Sequence, residues 1–369
     1  MARATIGFAM AMACASVTAC GAAQTGGPVS TSPSASSTST LSTSSTATPA
    51  PATVAPTPTA TPIPPPPPLL IVQQYQPPKA VIEAIEISGT VHWSFDVKTV
   101  VGDGVQLQVA GSHLLLAGSG KIAVIDRSGT VIGRGTYSGN VAEVRLDPTG
   151  TRWAWSDSPT QPDSDGTVRG AVWVAGLSEP AHRIQDWTEN GITESVVEWS
   201  DRGIVIAVRG SGCSPYIQEE WTALLDPATG HSTALFGHDR HLTDVHAGLE
   251  TAVHGSSLFV TGRTTMTAAR PSSEGLFTSA TISPDGAHVF GSLVAAGGCG
   301  APPHVRTAVG DVAAGSWTVL DNVFAVGWYD DSHLVVCDTS YEGPLHVVDL
   351  AGSGDPAALT HGYFAGVLR

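Results

Sequence analysis

Two kinds of tight turn alternate along the chain from about residue 104 to the C-terminus, and no other feature restricts its fold as strongly. The first kind reads Ala110-Gly-Ser-His113, Asp147-Pro-Thr-Gly150, Ser200-Asp-Arg-Gly203, His254-Gly-Ser256, Ser283-Pro-Asp-Gly286 and Asp330-Asp-Ser332. The second is a strand ending in Asp followed by a Gly-containing turn: Asp126-Arg-Ser-Gly129, Asp226-Pro-Ala-Thr-Gly230, Asp311-Val-Ala-Ala-Gly315 and Asp349-Leu-Ala-Gly352. Weaker members fall at Val174-Ala-Gly176 and near Thr267–Arg270. Gly, Asp and Pro supply the backbone angles that such turns need. Short apolar runs such as Ile204–Val208 and Leu334–Val336 flank them, and no long stretch carries apolar residues at helical spacing.

Each pair of turns defines four strands, and the unit recurs roughly every 45 residues, the period of a β-propeller blade. One such sheet cannot bury both faces alone, so blades must stack around a ring. The turns mark six blades, at 104–139, 140–189, 192–238, 242–275, 276–321 and 322–361. Two pieces remain. Val81–Trp93 reads as the outer hairpin of a blade, and Tyr363–Leu368 as one inner strand. Together they predict a seventh blade built from both ends of the chain, which would remove the open sheet edges. The fold class is therefore all-β, a propeller of four-stranded blades. Seven blades are favoured, with six the alternative count.

The segments Val144-Arg-Leu-Asp147-Pro148-Thr-Gly150 and Ala280-Thr-Ile-Ser283-Pro284-Asp285-Gly286 resemble the repeat of TolB-like, WD40-like bacterial propellers, in which a strand runs into Ser-Pro-Asp-Gly. The resemblance covers residues 80 to 369 as architecture. It implies the fold and a general role in binding, and it carries over no partner set.

At the other end, Arg3 precedes an apolar run that leads to Val17-Thr18-Ala19-Cys20. This is the layout of a secretory signal. Its last four residues resemble a bacterial lipobox, which implies lipidation of Cys20. The alternatives are a plain signal peptide cut near Ala19 and a retained anchor. For the latter the apolar run, about sixteen residues, is short of the roughly 20 a spanning helix needs. Cys14 lacks the branched residue three before it and is the weaker acceptor. From Gly21 to Pro68 the chain is almost entirely Ser, Thr, Ala and Pro and carries no charge. Such a segment cannot bury enough surface to offset ordering entropy. It reads as a disordered stalk reaching about 40 Å as a coil and about 150 Å as polyproline II. The expected organisation is a leader at 1–19, a stalk at 20–69 and a propeller at 70–369.

Arg3 is the one charged residue of the leader, so its removal takes the net charge from −15 to −16. That balance argues against nucleic acid, which rewards a basic surface, and against direct adhesion to anionic lipid. Membrane attachment would then rest on the lipid anchor alone. Cys213, Cys299 and Cys337 follow the stalk. Cys213 and Cys299 sit in Gly-rich segments at matching places in two blades and are the expected disulfide; Cys337 reads as a buried small side chain.

Glu143, Glu198 and Glu250 fall on presumed innermost strands and are the candidates for the channel face. A shift of one residue would reverse that assignment. His231, His238, Asp239, His241, Asp244, His246 and His254 form a dense run, as solvated loop residues rather than a recognised metal motif. Asp157, Asp163 and Asp165 lack calcium-loop spacing. Trp153, Trp155, Trp173, Trp199, Trp221, Trp317 and Trp328 are expected to pack between blades. Nucleophile elbows, His-Glu-x-x-His and phosphate loops are absent from the sequence. No catalytic residue, cofactor or metal is expected. The reading is a monomeric, extracytoplasmic, lipid-anchored scaffold for an envelope protein or small ligand. The alternative is an envelope enzyme acting on a carbohydrate or small substrate through acids at the channel mouth.

Overall fold

The computed structural model describes residues 66–369 apart from 77–78, 140, 158–163, 165–166, 191, 211–218, 236–240, 255–256, 262–265, 270–275, 295–304, 321–322, 338–343 and 351–358. Seven four-stranded antiparallel sheets account for its strands. The closing blade holds β1 (Leu69–Gln76), β2 (Lys79–Ile85), β3 (Val91–Asp96) and the last strand, β28 (Tyr363–Leu368). A single helical turn, α1 (Lys98–Val101), leads on from it. The next blade is β4 (Gln106–Ala110), β5 (His113–Gly118), β6 (Lys121–Asp126) and β7 (Val131–Thr136). Then come β8 (Val141–Leu146), β9 (Arg152–Asp157), β10 (Thr167–Gly176) and β11 (His182–Asn190). The fourth sheet in chain order is β12 (Ile192–Ser200), β13 (Gly203–Gly210), β14 (Glu219–Leu225) and β15 (Ser232–Ala234). It is followed by β16 (His241–His246), β17 (Leu249–His254), β18 (Ser257–Thr261) and β19 (Met266–Ala269). The last two are β20 (Leu276–Ile282), β21 (His288–Val294), β22 (Val305–Asp311) and β23 (Trp317–Leu320), then β24 (Phe324–Trp328), β25 (His333–Cys337), β26 (Pro344–Asp349) and β27 (Thr360–His361).

The first strand of each blade lies innermost. β28, β4, β8, β12, β16 and β20 neighbour one another in succession, and β24 neighbours β28 and the blade of β20. The protein is a seven-bladed β-propeller. Its closing blade runs β28-β1-β2-β3, one strand from the C-terminus and three from the N-terminal side. β28 and the β2–β3 hairpin were expected there; β1, the strand between them, was not assigned from sequence.

The turns form as their residues dictate. Asp147 Oδ1 accepts the N–H groups of Thr151 and Arg152 at 2.8 and 2.9 Å. Asp226, Asp311 and Asp330 each accept an N–H two residues on, all at 2.8 Å. These are local side-chain turns, closed by the residue that opens them. Gly150 holds φ at +72°, and a Cβ there would fall 2.2 Å from the His113 ring, so a neighbouring blade also fixes this glycine.

The second strand of a blade carries an unbroken apolar run, as in Leu114–Ala117, Ile204–Ala207 and Leu334–Cys337, all buried. Alternation disappears because both faces of these strands are covered. Leu114 and Leu116 pack toward Leu69, Ile71 and Ile82 of the closing blade. Leu115 and Ala117 pack the other way, against Val144, Trp153 and Trp155. Seven apolar clusters result, one at each seam between blades. Trp199 and Trp328 are buried in such seams, while Trp173 and Trp317 are partly covered. The seams differ in depth. Among the described residues, twelve buried side chains join the closing blade to β4–β7, but Val205, Val245 and Ala252 alone are buried between β12–β15 and β16–β19.

One stretch of the sequence reading is out of phase. The inner turn of the fifth sheet is Ala247-Gly248, with His246 paired to Leu249. The turn expected at His254-Gly-Ser256 instead separates the second and third strands, and Thr267–Ala269 lies within β19 rather than in a turn. Ala247 takes the left-handed conformation, φ +51°, without being glycine. The turn therefore lacks the residue signature that marks its counterparts.

Candidate functional site

The ring registers align the innermost strands. Val109, Trp199, Val245 and Val367 make the next-to-last pairing of their strands with the neighbouring strand, and Leu146, Ile282 and Trp328 the last. The residues before them are Gln108, Arg145, Glu198, Asp244, Thr281, Gly327 and Gly366, and cross-blade hydrogen bonds set the first four side by side in a row. Four neighbouring members of this row have side chains that reach the next strand. Leu146 N–H donates to Gln108 Oε1 at 2.5 Å, Val245 N–H to Glu198 Oε2 at 3.2 Å, and Ile282 N–H to Asp244 Oδ2 at 2.7 Å. Arg145 Nε donates to the Val197 carbonyl at 2.6 Å. Two residues earlier, Gln106 Oε1 accepts Val144 N–H at 3.0 Å.

The physical reason is the free edge of an innermost strand. Its outward N–H and C=O groups have no ladder partner, and a buried backbone group left unpaired is costly. Side chains of the preceding blade supply those partners. A bulge lies directly before Glu198, Asp244, Gly327 and Gly366, and two or three residues earlier in β8 and β20. A bulge turns backbone groups out of the ladder. Val197, in the β12 bulge, presents the carbonyl that Arg145 takes.

Glu198 therefore lies on an innermost strand and is tied to the next blade. Glu143 is also on an innermost strand and pairs with Arg145 on the same side of β8. Glu250 is not innermost: it sits on β17, the second strand, just past the inner turn, where it pairs with Arg202 of the β12–β13 turn. The one-strand phase error at Ala247-Gly248 explains that misplacement, and Asp244 occupies the innermost position instead. Asp244 was counted only among a run of loop ligands. No alternation announces it, because Thr243 and Asp244 are consecutive polar residues at the bulge of β16.

Electrostatics set the Glu198–Asp244 pair apart. Burial drives Glu198 well above the usual carboxylate range, the negative Asp244 adds to this, and Val245 N–H and Arg145 oppose it. Burial pushes Asp244 up to about 6, against the Ile282 N–H, the charge of His246 and the Val245 N–H. Desolvation disfavours the charged form in both.

A concavity of about 520 Å³ opens near where β1 and β28 meet, beside Pro66, Pro67, Leu69, Glu86, His92, Ser112, His113 and Asp126–Ser128. Glu86 is held low by its hydrogen bond with His92, 2.6 Å away. Arg127 spans the seam, donating to the Leu368 carbonyl at 2.7 Å and to the Pro67 carbonyl. Tyr329 Oη donates to the Pro68 carbonyl at 3.2 Å, and Arg369 N–H to the Gly111 carbonyl at 3.0 Å. This site clasps the ring shut.

Cys20, Cys213, Cys299, His238, Asp239, Asp163 and Asp165 lie outside the described residues. The strands flanking Cys213 and those flanking Cys299 are in each case the second and third of their blades. Cys337 is buried and its thiol faces the Phe324 carbonyl at 3.7 Å. His231 and His246 are exposed, and Asp157 accepts from Ala171 N–H and Trp173 Nε1. Among the described residues no group of three or more His, Cys, Asp or Glu is placed to hold a metal ion, and no helix is long and apolar enough to cross a membrane.

No protein-family model matches the sequence, and no curated protein matches it. Solved structures do. An acylaminoacyl peptidase in complex with Z-Gly-Gly-Phe-chloromethyl ketone superposes with a TM-score of 0.55 at 12% identity, over 79% of this chain and 50% of that one. The Pyrococcus horikoshii acylaminoacyl peptidase gives 0.52 at 11% identity, over 78% and 52%. The likeness is one of fold. This chain spans about half the length of those peptidases. The β-propeller domain of the Trilobed protease from Pyrococcus furiosus gives 0.52 at 12% identity, over 79% of this chain and 93% of that one. That domain is described as having an open velcro topology, whereas here β28 pairs with β1 and joins both ends of the chain in one blade.

Proposed function

We propose that this protein is an exported lipoprotein, anchored through Cys20 at the outer face of a bacterial membrane, whose stalk presents a TolB-like propeller as a monomeric binding scaffold in the envelope. One observation favours binding over catalysis. Glu143, Glu198 and Asp244 of the innermost strands, and Glu250 of β17, all have partners within the ring. Glu198, Asp244 and Glu250 fasten blades directly, and Glu143 holds Arg145, which reaches the next blade. The geometry of the ends supports the same reading. Pro66–Pro68 meets the ring beside the short 1–2 and 3–4 turns, through Arg127 and Tyr329. The longest connections between second and third strands, at 158–166, 211–218 and 295–304, leave strand ends on the opposite side. Recognition would then fall to the mouth opposite Pro66–Pro68. Loops held on a rigid scaffold are the usual place for recognition.

Capture from detergent-solubilised membranes tests the binding role. A stoichiometric protein partner, retained by the Glu143→Gln variant, is the expected result. Turnover of a carbohydrate that is lost in Glu143→Gln would replace the scaffold by an enzyme. Intact-mass measurement tests the anchor: a diacylglycerol adduct beginning at residue 20 is expected, and a mature chain without it would remove the lipoprotein reading. Nonreducing peptide mapping should likewise find Cys213 linked to Cys299.

A further inference from the structure

Two acids stand on adjacent innermost strands, and the first of them lies at a lightly packed seam. Between β12–β15 and β16–β19, among the described residues, Val205, Val245 and Ala252 are buried, with Val197, Leu224, Leu235 and Phe259 partly buried against them. At that seam Glu198 holds Val245 N–H, and at the following one Asp244 holds Ile282 N–H. The two carboxylates stand side by side in the innermost row. The cation of that row, Arg145, is engaged with the Val197 carbonyl and Glu143. Asp201 adds negative charge from the β12–β13 turn, His246 faces Asp244 from the end of β16, and Arg202 is paired with Glu250. Among the described residues, Arg145 acts on Glu198 and His246 on Asp244, and no one cation acts on both.

We propose that Glu198 and Asp244 form a proton-operated fastener: with at least one carboxyl protonated, β12, β16 and β20 are held together at the channel, and with both ionised the pair repels and this sector slackens. The proton goes to solvent, and no covalent bond changes. A protonated carboxyl keeps a carbonyl oxygen that accepts the backbone N–H, so protonation removes repulsion without undoing the hydrogen bond. Burial favours the protonated form of both groups, and Asp244 is pushed up to about 6. Elsewhere in the row the same duty falls to Gln108, which cannot ionise, at a seam joined by Leu115, Val144, Leu146, Trp153 and Trp155. Slackening would therefore be confined to one sector of the channel wall.

Amide exchange on the full chain tests this, with protection factors corrected for intrinsic exchange at pH 5 and pH 7.5. The Val245 and Ile282 amides are expected to lose at least tenfold in protection at the higher pH, while the Leu146 amide, held by neutral Gln108, stays constant. Glu198→Gln and Asp244→Asn keep an acceptor oxygen and cannot ionise. Each should reduce the change to less than twofold. Equal protection at both pH values in the unmodified chain would overturn the proposal. So would a change that persists in the variants, or a parallel change at Leu146. If Asp244→Asn does not fold, Glu198→Gln together with the Leu146 comparison decides the matter.

Discussion

Single residues hold this ring at places where two blades meet, and their substitution should be felt accordingly. Arg127 joins the two ends of the chain by donating to Leu368 and Pro67. Arg127→Ala leaves those carbonyls without their cationic donor and should cost about 1–3 kcal/mol of stability, read as a lowered midpoint in denaturant. Arg127→Lys should recover only part, because an ammonium lacks the planar fork that reaches both carbonyls. Gly135 illustrates a steric constraint of the same kind. A Cβ there would fall 2.2 Å from Trp153 Cζ2, and Trp153 is buried in the next blade. Gly135→Ala should therefore destabilise by roughly 1–3 kcal/mol through overpacking. Gly89→Ala meets no atom within 4 Å and should lose stability only through its positive φ.

At the scale of the element, turns and strands differ in how much of their structure is local. The Asp turns are closed by side chains acting two to five residues away, so the residue pattern is the structure. Asp147→Ala opens one of them and leaves Thr151 and Arg152 N–H without their acceptor. A loss of about 1–3 kcal/mol in equilibrium unfolding is expected. The innermost strands show the opposite behaviour. Their bulges and cross-blade acceptors depend on a neighbour some 40 residues away, and nothing in the strand itself announces them. Glu198 was legible as an innermost-strand residue because a recognisable turn follows it. Glu250 was misplaced because Ala247-Gly248 is a poor signature, and the same error hid Asp244.

For the whole molecule, the two classes of carboxylate make stability depend on pH in opposite directions. The Ser128 hydroxyl holds Asp126 low, and the Ala228 N–H holds Asp226 low. A carboxyl whose folded value lies below its unfolded one stabilises above the unfolded value and loses that contribution as pH falls through the folded one. Asp244 has the reverse sign. Its folded value of about 6 lies above the ordinary aspartate value of 3.8, so its contribution is full below 3.8 and is lost as pH rises through about 6. Thermal midpoints should peak on the acid side of neutrality, and Asp244→Asn should flatten the fall between pH 4 and pH 7. Removing residues 363–369 deletes the innermost strand of the closing blade and exposes the β1 edge beside Leu69 and Ile71. Loss of the single cooperative transition, with self-association by light scattering, is expected.

The chain fixes, residue by residue, where it turns and which runs are covered on both faces, because Asx turns and apolar strands are set by neighbours in sequence. From these the four-strand unit, the blade count and the shared closing blade follow. What it does not fix locally is the level at which one blade meets the next. That depends on bulges and on edge N–H groups satisfied from another blade, and such contacts exist only once the ring has closed. The tertiary structure alone therefore decided that Glu198 and Asp244 stand side by side and that Glu250 stands apart from the innermost strands.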